Sequence, residues 1–481
     1  MTNSPGVGSN QRSSRPEGGT NHDLVIRGGT VVTVNRIELA DLAIDGENVS
    51  AIGGSPSGRK EIDARGCLVF PGGIDMHVHL TPLRTEANAP KRPDDFVTGS
   101  RAAAAGGITT FGNMSHQLPG GGLLDALDRD RQLADTLSVV DFVLHPVLND
   151  PNDRALAEIL DLPSLGHPSL KLFMVFEQFE GQTDRYLQAM ASAARSGTLV
   201  LIHCEDHSII SAVQRRLMAD RRSSAAHYPA SRPVPSEVAA VQRAIAFAEV
   251  TGATIQVVHL SSVAALQSCV EARGRGVKVH VETRPLYLHL ADDVFEGPEP
   301  ARFIGNPPPR SSEDQKGLWD GLASGDIDTL ASDHAPWTID QKLDPSLDIT
   351  TLLPGVADLE TMLPMLFSEG VVKGRLTPKR FAAVTSTNAA MLFGLYPLKG
   401  TIQVGSHADL TVIDPVHSWV VDGSSFESRA GYSPYDGSKV VGAVRFTISR
   451  GEVVRDPDGV IGSPGRGKLA PRGDISWRSN S

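Results

Sequence analysis

Six residues with metal-ligand or proton-transfer chemistry stand inside runs of this chain that are otherwise apolar. His77 and His79 fall in PGGIDMHVHL, Lys171 in SLKLFMVF, His203 in IHCED, His259 in VVHLSS and Asp333 in ASDHAP. Imidazoles and a carboxylate are donors that Zn2+ and similar divalent ions accept. Taken singly, a histidine in an apolar strand is more often a hydrogen-bonded core residue, and an aspartate before a turn is often a cap. A lysine flanked by Leu, Phe, Met and Val has no such ready account, because an unpaired buried ammonium is costly. Six such residues on strand-like runs read as one site.

The elements that must position them alternate. Strand-like runs are CLVFPGGIDMHVHL, GGITTFGNM, SVVDFVLHPVL, SLKLFMVF, TLVLIHCE, TIQVVHLS, VKVHVET and DTLASDHAP. Helical patterns such as DDFVTGSRAAAAG, DRYLQAMASAARSG, SEVAAVQRAIAFAEVTG and SSVAALQSCVEARGRG lie between them, several closing on glycine. Near-continuous apolar strands separated by helices predict a parallel sheet covered on its faces, and eight units predict a (β/α)8 barrel. The first strand then carries His77 and His79, the fourth Lys171, the fifth His203, the sixth His259 and the eighth Asp333. Residues i and i+2 of a strand share a face, so both histidines of the first strand point inward. Active sites of such barrels assemble at the C-terminal strand ends.

Outside the middle, DLVIRGGTVVTV, LADLAIDGENVSAIG and KEIDARGCLVF alternate apolar and polar residues between glycine turns, as do HADLTVIDP, SWVVDG and VVGAVRFTISRGEVV. They predict short antiparallel strands from both chain ends forming one small β-sandwich, with the barrel inserted into it. The expected boundaries are a disordered tail over 1–22, sandwich strands over 23–70, the catalytic barrel over 71–398, sandwich strands again over 399–460 and a loose tail over 461–481. With 40% hydrophobic and 21% charged residues, the composition is that of a soluble globular protein. A net charge of -11 argues against a nucleic-acid footprint. No run approaches a membrane span, and the first residues lack the apolar stretch of a signal peptide. Cys67, Cys204 and Cys269 are widely spaced and give no disulfide framework, so a reducing, cytoplasmic setting is expected.

Together with DDFVTGSRAAAAGGITT, VETRPLYL, NPPPR, the long run LPMLFSEGVVKGRLTPKRFAAVTSTNAAMLFGLYPLKGTIQVGSHADL and YSPYDG, the site motifs resemble those of the cyclic amidohydrolases, which include hydantoinases and dihydropyrimidinases. The resemblance runs from about residue 23 to 455. It implies that His77, His79 and Asp333 bind a more buried metal and that His203 and His259 bind a second. Lys171, carboxylated by CO2 to a carbamate, is implied to bridge the two ions, most simply Zn2+. A hydroxide held between the ions would attack an amide or imide carbonyl, with Asp333 shuttling its proton to the leaving nitrogen. A small cyclic amide is the implied partner, and a homo-oligomer, tetramer or dimer, the implied assembly.

Several pocket positions depart from the relatives. Thr81 stands where dihydroorotases carry a carboxylate-gripping arginine. Phe176 stands where hydantoinases usually carry a tyrosine, and a phenyl ring cannot steady an oxyanion by hydrogen bonding. Pro354 falls near a position commonly held by a substrate-side asparagine. Asn306, in GNPPPR, offers a donor and an acceptor to an amide edge, or else is a turn residue before prolines; His116 is a further candidate contact. Phe176 and Phe179 read as pocket-lining, Phe173 as core on the outer face, and Glu177 and Glu205 as solvated rim charges. An allantoinase-like ureide or imide hydrolase is the second enzymatic reading. A non-catalytic scaffold related to dihydropyrimidinase is the alternative of another class, against which the intact ligand set argues.

Overall fold

The computed structural model describes residues 21–81 and 90–473. Eight parallel strands follow one another in sequence order around the central sheet: Gly73–Val78, Ile108–His116, Asp141–Val147, Ser169–Phe173, Leu199–His203, Ile255–Val257, Val279–Thr283 and Thr329–Leu330. The ring closes where Val78 bridges His334 in parallel and the His79 N–H donates to the His334 carbonyl at 2.9 Å. Asp75 reinforces that seam, its carboxylate accepting from the backbone N–H groups of His77 and Ser332, each at 3.1 Å. The expected (β/α)8 barrel is present.

Helices cover the outside for reasons visible in their sequences. Phe96–Ala105 starts at Asp95, whose side chain accepts from the backbone of Val97 and Thr98. Thr183–Ser196 and Val234–Thr251 stop at Gly197 and Gly252, both at φ 75°, a left-handed conformation that glycine adopts without a Cβ penalty. Their alanine-rich inner faces, including Ala189, Ala193, Ala240 and Ala244, are buried against strand residues such as Val200 and Ile202. Inside the barrel, Ile74, Met76, Met114, Val143 and Leu201 fill the floor together with Phe393. The mouth is left for polar groups.

The flanking sheet has nine strands, five from Asn21–Val32 through Leu68–Pro71 and four from Leu410–Val420 through Gly459–Val460. Leu24, Ile26, Leu42 and Val69 share one core with Leu410, Val412 and Ile448, so both chain ends build the same small domain, as expected. The sheet is mixed rather than antiparallel throughout. Asn21–Val32 pairs in parallel with Ser57–Asp63 and with Leu68–Pro71, because the chain crosses over instead of turning back between them. Asn21 and His22, placed in the tail by their polarity, open this first strand; residues 1–20 lie outside the described residues.

The loose tail expected from residue 461 onward needs the larger correction. Up to residue 473 it is laid against the barrel. Gly465 and Gly467 donate to the Ser138 carbonyl at 3.0 and 2.9 Å, and Phe142 exchanges backbone bonds with Lys468 and Ala470 at 3.0 and 2.8 Å. Half-buried Arg472 donates to the Phe393 carbonyl at 2.8 Å and to Ser169 Oγ at 2.9 Å. Backbone pairing and two arginines, Arg466 and Arg472, hold this segment, and neither leaves a hydrophobic period in the sequence. The three cysteines are buried and unbridged. Among the described residues no helix is long and apolar enough to cross a membrane.

Candidate functional site

The six expected ligands meet at the C-terminal rim of the barrel. His77 ends the first strand and His79 follows it; Lys171 and His203 lie in the fourth and fifth; His259 and Asp333 come just past the sixth and eighth. Strand register brings Lys171 level with Leu201 and places Phe173 beside His203. The ligand atoms of His77, His79 and Asp333 lie within 4.8 Å of one another. Asp333 Oδ1 is 3.2 Å from His79 Nε2 and 3.5 Å from His77 Nε2. Lys171 Nζ is 3.3 Å from His77 Nε2, and the His203 and His259 rings meet edge to face at 4.5 Å.

The backbone singles out two of these residues. His259 and Asp333 adopt φ 39° and 47°, in the left-handed region, where a residue with a Cβ is strained. Such strain persists where the surroundings over-determine a position, commonly at a working site. Each turns a side chain inward at a strand end.

Electrostatics keep the imidazoles ready to donate lone pairs. Burial pushes His77, His203 and His259 below the usual histidine range, with neighbouring Lys171 or His203 adding to the effect. Burial alone would raise Asp333, but Arg284 and His77 hold its carboxyl well below the usual range. Burial brings the Lys171 ammonium down to about 8, against the opposing pull of Glu282 and Asp333. His259 Nδ1 is buried without a hydrogen-bond partner. Four neutral imidazoles, a carboxylate and a buried amine suit divalent ions far better than they suit each other. A second acidic grouping, Asp141, His407 and Asp409, already has its cation: Lys399 Nζ bonds the two aspartates at 2.7 and 2.6 Å.

Several working residues were not anticipated. Glu282 in the seventh strand meets His77 Nδ1 at 2.8 Å, which leaves Nε2 as the nitrogen available to a metal. Glu205, expected as a solvated rim charge, is fully buried. It bonds His203 Nε2 at 2.8 Å and accepts from Arg232 at 2.7 Å, leaving Nδ1 for the site. Both are carboxylates that fix an imidazole of the site through its far nitrogen, as orienting partners of metal ligands do. Both also had a signal. Glu282 stands in the strand-like run VKVHVET, and glutamate is depleted in strands, while Glu205 is two residues from His203 as His79 is from His77. Glu282→Gln should weaken metal affinity by about 10–100-fold, the range for such orienting partners. A chelator-competition titration checks this, and an unchanged affinity contradicts the role given to Glu282.

His116 stands close to the metal-site histidines expected from the sequence. Its ring stacks on Phe173 at 6.0 Å and lies 5.9 Å from that of His79. Phe173 was assigned to the wrong face. It stands two residues from Lys171, so it shares the inner face, and its ring lies 4.8 Å beneath Lys171 Nζ. Phe179, expected in the pocket, packs instead on Tyr186 at 4.8 Å in the helix layer. Phe176 is 54% exposed and packs on Phe173, ring to ring at 5.4 Å. Asn306 accepts a hydrogen bond from the buried Tyr228 hydroxyl, which fixes its amide. Glu177 is exposed, as expected. Thr81 is tied into a buried network with Asn113 and Asp130, away from any ligand role. The Pro354 carbonyl is held by Trp337 Nε1 at 2.8 Å, beside a loop clamped by Lys342, which donates to the carbonyls of Ile304, Leu353 and Gly355.

This geometry has counterparts. The amidohydrolase family model matches residues 68–454. A D-hydantoinase of Rhizobium radiobacter is 35% identical over 456 residues, covering 94% of this chain and 99% of its own. A D-phenylhydantoinase of Escherichia coli O9:H4 (strain HS) is 35% identical over 455 residues, covering 93% and 98%. Among solved structures, a dihydropyrimidinase from Brevibacillus agri NCHU1002 superposes with a TM-score of 0.90 at 33% identity, covering 94% of this chain and 99% of that one. An L-hydantoinase (dihydropyrimidinase) from Arthrobacter aurescens gives 0.86 at 34% identity, covering 94% and 100%.

Proposed function

The chain belongs to the amidohydrolase family, and on that premise we propose that its barrel site hydrolyses a C–N bond of a cyclic amide, ureide or imide with two divalent metal ions. One observation carries the reading: four histidines, Lys171 and Asp333 from five different strands converge at one rim. His77 through Nε2, His79 and Asp333 through Oδ1 would hold one ion. His203 through Nδ1 and His259 would hold the other. Lys171 links the two sets after its amine nitrogen bonds the carbon of CO2 and releases a proton, giving an anion with two oxygens. Burial favours this step, because it populates the neutral amine near neutral pH. When bound, the ions, most simply Zn2+, would acidify a shared water and polarise the scissile carbonyl.

The remaining duties fall to the protein. Asp333 receives the water's proton and returns it to the leaving ring nitrogen, opening the C–N bond. Asn306, its amide fixed by Tyr228, offers a donor to the substrate's edge, and neutral His116 stands over Phe173 at the other side. The relatives named hydantoinase and dihydropyrimidinase make hydantoins and dihydropyrimidines the first substrates to try. Phe176 favours a second reading, an open-chain-tolerant or allantoin-like ureide, because no hydroxyl stands there to steady a hydantoin oxyanion. An assembly of two or four copies goes with the family reading and is checked by light scattering.

The test is a hydrolysis screen over hydantoins, dihydropyrimidines, allantoin, cyclic imides and lactams, run with metal analysis of the same preparation. Two ions per chain and turnover on one ring class are expected. A metal-free protein inert on all of them would restore the scaffold reading. Phe176→Tyr refines the choice. We expect it to lower turnover on the best substrate while adding little on dihydrouracil, since a half-exposed hydroxyl there has no matching oxyanion. A gain on dihydrouracil of about 10²–10³, the worth of one oxyanion donor, would show instead a hydantoinase lacking one group.

A further inference from the structure

Asp333 does not face the site with both oxygens. Oδ1 points at His79 and His77, whereas Oδ2 accepts from Arg284 at 2.6 Å. Arg284 follows the seventh strand, is fully buried, and spends its other terminal nitrogen on Asp358 Oδ2 at 3.1 Å. Asp358 is itself fully buried, and its backbone N–H is held by His334 Nδ1 at 3.2 Å. The guanidinium thus spans two carboxylates through two terminal nitrogens held in a planar, fixed fork. Gly305 leaves the room: a Cβ there would lie 3.3 Å from Arg284 Nη1. The backbone of Asp333 is strained at φ 47°, so the residue is held from both its main chain and its far oxygen.

We infer that Arg284, anchored by Asp358, is a positioning residue that confines Asp333 to Oδ1, so that one oxygen serves both as metal ligand and as proton carrier. This rests on the reading that His77, His79 and Asp333 hold a metal. A carboxylate free at both oxygens can close onto an ion with the second one, which raises the ion's coordination number. Arg284 has no proton to exchange near neutral pH, so Oδ2 is withdrawn from both roles. The arginine never touches substrate. It acts through Asp333.

The experiment uses the whole protein loaded with Co2+, whose visible absorption weakens as coordination number rises. Arg284→Met leaves the Asp358 charge buried alone and risks misfolding. The informative protein is therefore the double variant Arg284→Met/Asp358→Asn, with Asp358→Asn alone as the milder case. The double variant should bind Co2+ with a clearly weaker visible band, and its kcat should fall by about 10–100-fold with KM little changed. Arg284→Lys, which can reach Oδ2 without forking to Asp358, should recover part of the band. A band superimposable on the unaltered protein's, or a double variant that fails to fold while Asp358→Asn behaves normally, would overturn the positioning role. An unaltered protein that takes up no Co2+ would instead remove the metal-site reading on which the proposal stands.

Discussion

Lys171→Ala should lose most of its bound metal and fall in turnover by more than about 100-fold, beyond the usual cost of removing an orienting partner. The lysine is buried completely, with its Nζ 3.3 Å from His77 Nε2 and 4.8 Å from the Phe173 ring centre. Alanine takes away the buried amine proposed to link the two sets of imidazoles, and leaves four histidines and Asp333 to confront two cations with a single anionic side chain. Loss of the ions removes the acidified water, so the effect belongs in kcat as well as in metal content. Added acetate should restore part of both by supplying two oxygens in the space the chain vacates. A variant that keeps two ions and full turnover without any added acid would show that Lys171 is no bridge.

Asp333→Asn is expected to abolish turnover while the protein stays folded, with kcat down by at least about 10²–10⁴, the range for a positioned acid–base group. An amide offers an oxygen to an ion but cannot accept and return a proton. The substitution also leaves the Arg284 cation facing a neutral partner, so thermal stability and metal content must be followed in the same preparation. Near-normal kcat in a metal-replete variant would end the case for Asp333 as proton carrier.

The barrel was legible because its strands are apolar and β-branched and its helices end on glycine, both local features. The residues that meet at the rim were legible because each interrupts an apolar run. What hid were residues acting through others. Arg284 lies in VETRPLYL directly after a strand, where nothing local distinguishes a rim cation from a buried one. Its partners, Asp333 and Asp358, stand just past the adjacent eighth strand and in the chain beyond it, 49 and 74 residues away in sequence. Glu205 and Glu282 had usable signals that were outweighed by the general exposure of glutamates. Phe173 and Phe179 exchanged places, the first through a slip in strand alternation and the second because a short helix, Glu177–Gly181, turns it back into the core. The docked segment up to residue 473 is held by backbone bonds and by arginines bonded to backbone carbonyls, which no hydrophobic pattern announces.

The small flanking sheet is assembled across an interval of synthesis. Leu68–Pro71 lies between a strand made before it and Leu410–Val420, made only after the entire barrel. At about 5–20 residues per second the nascent chain carries that unpaired edge for a time on the order of tens of seconds. An open strand edge is a template for pairing with other chains. Substitutions that slow barrel formation prolong the exposure without touching the sheet. Their damage therefore surfaces as aggregated nascent protein, and the molecules that do escape should hydrolyse substrate at the normal rate.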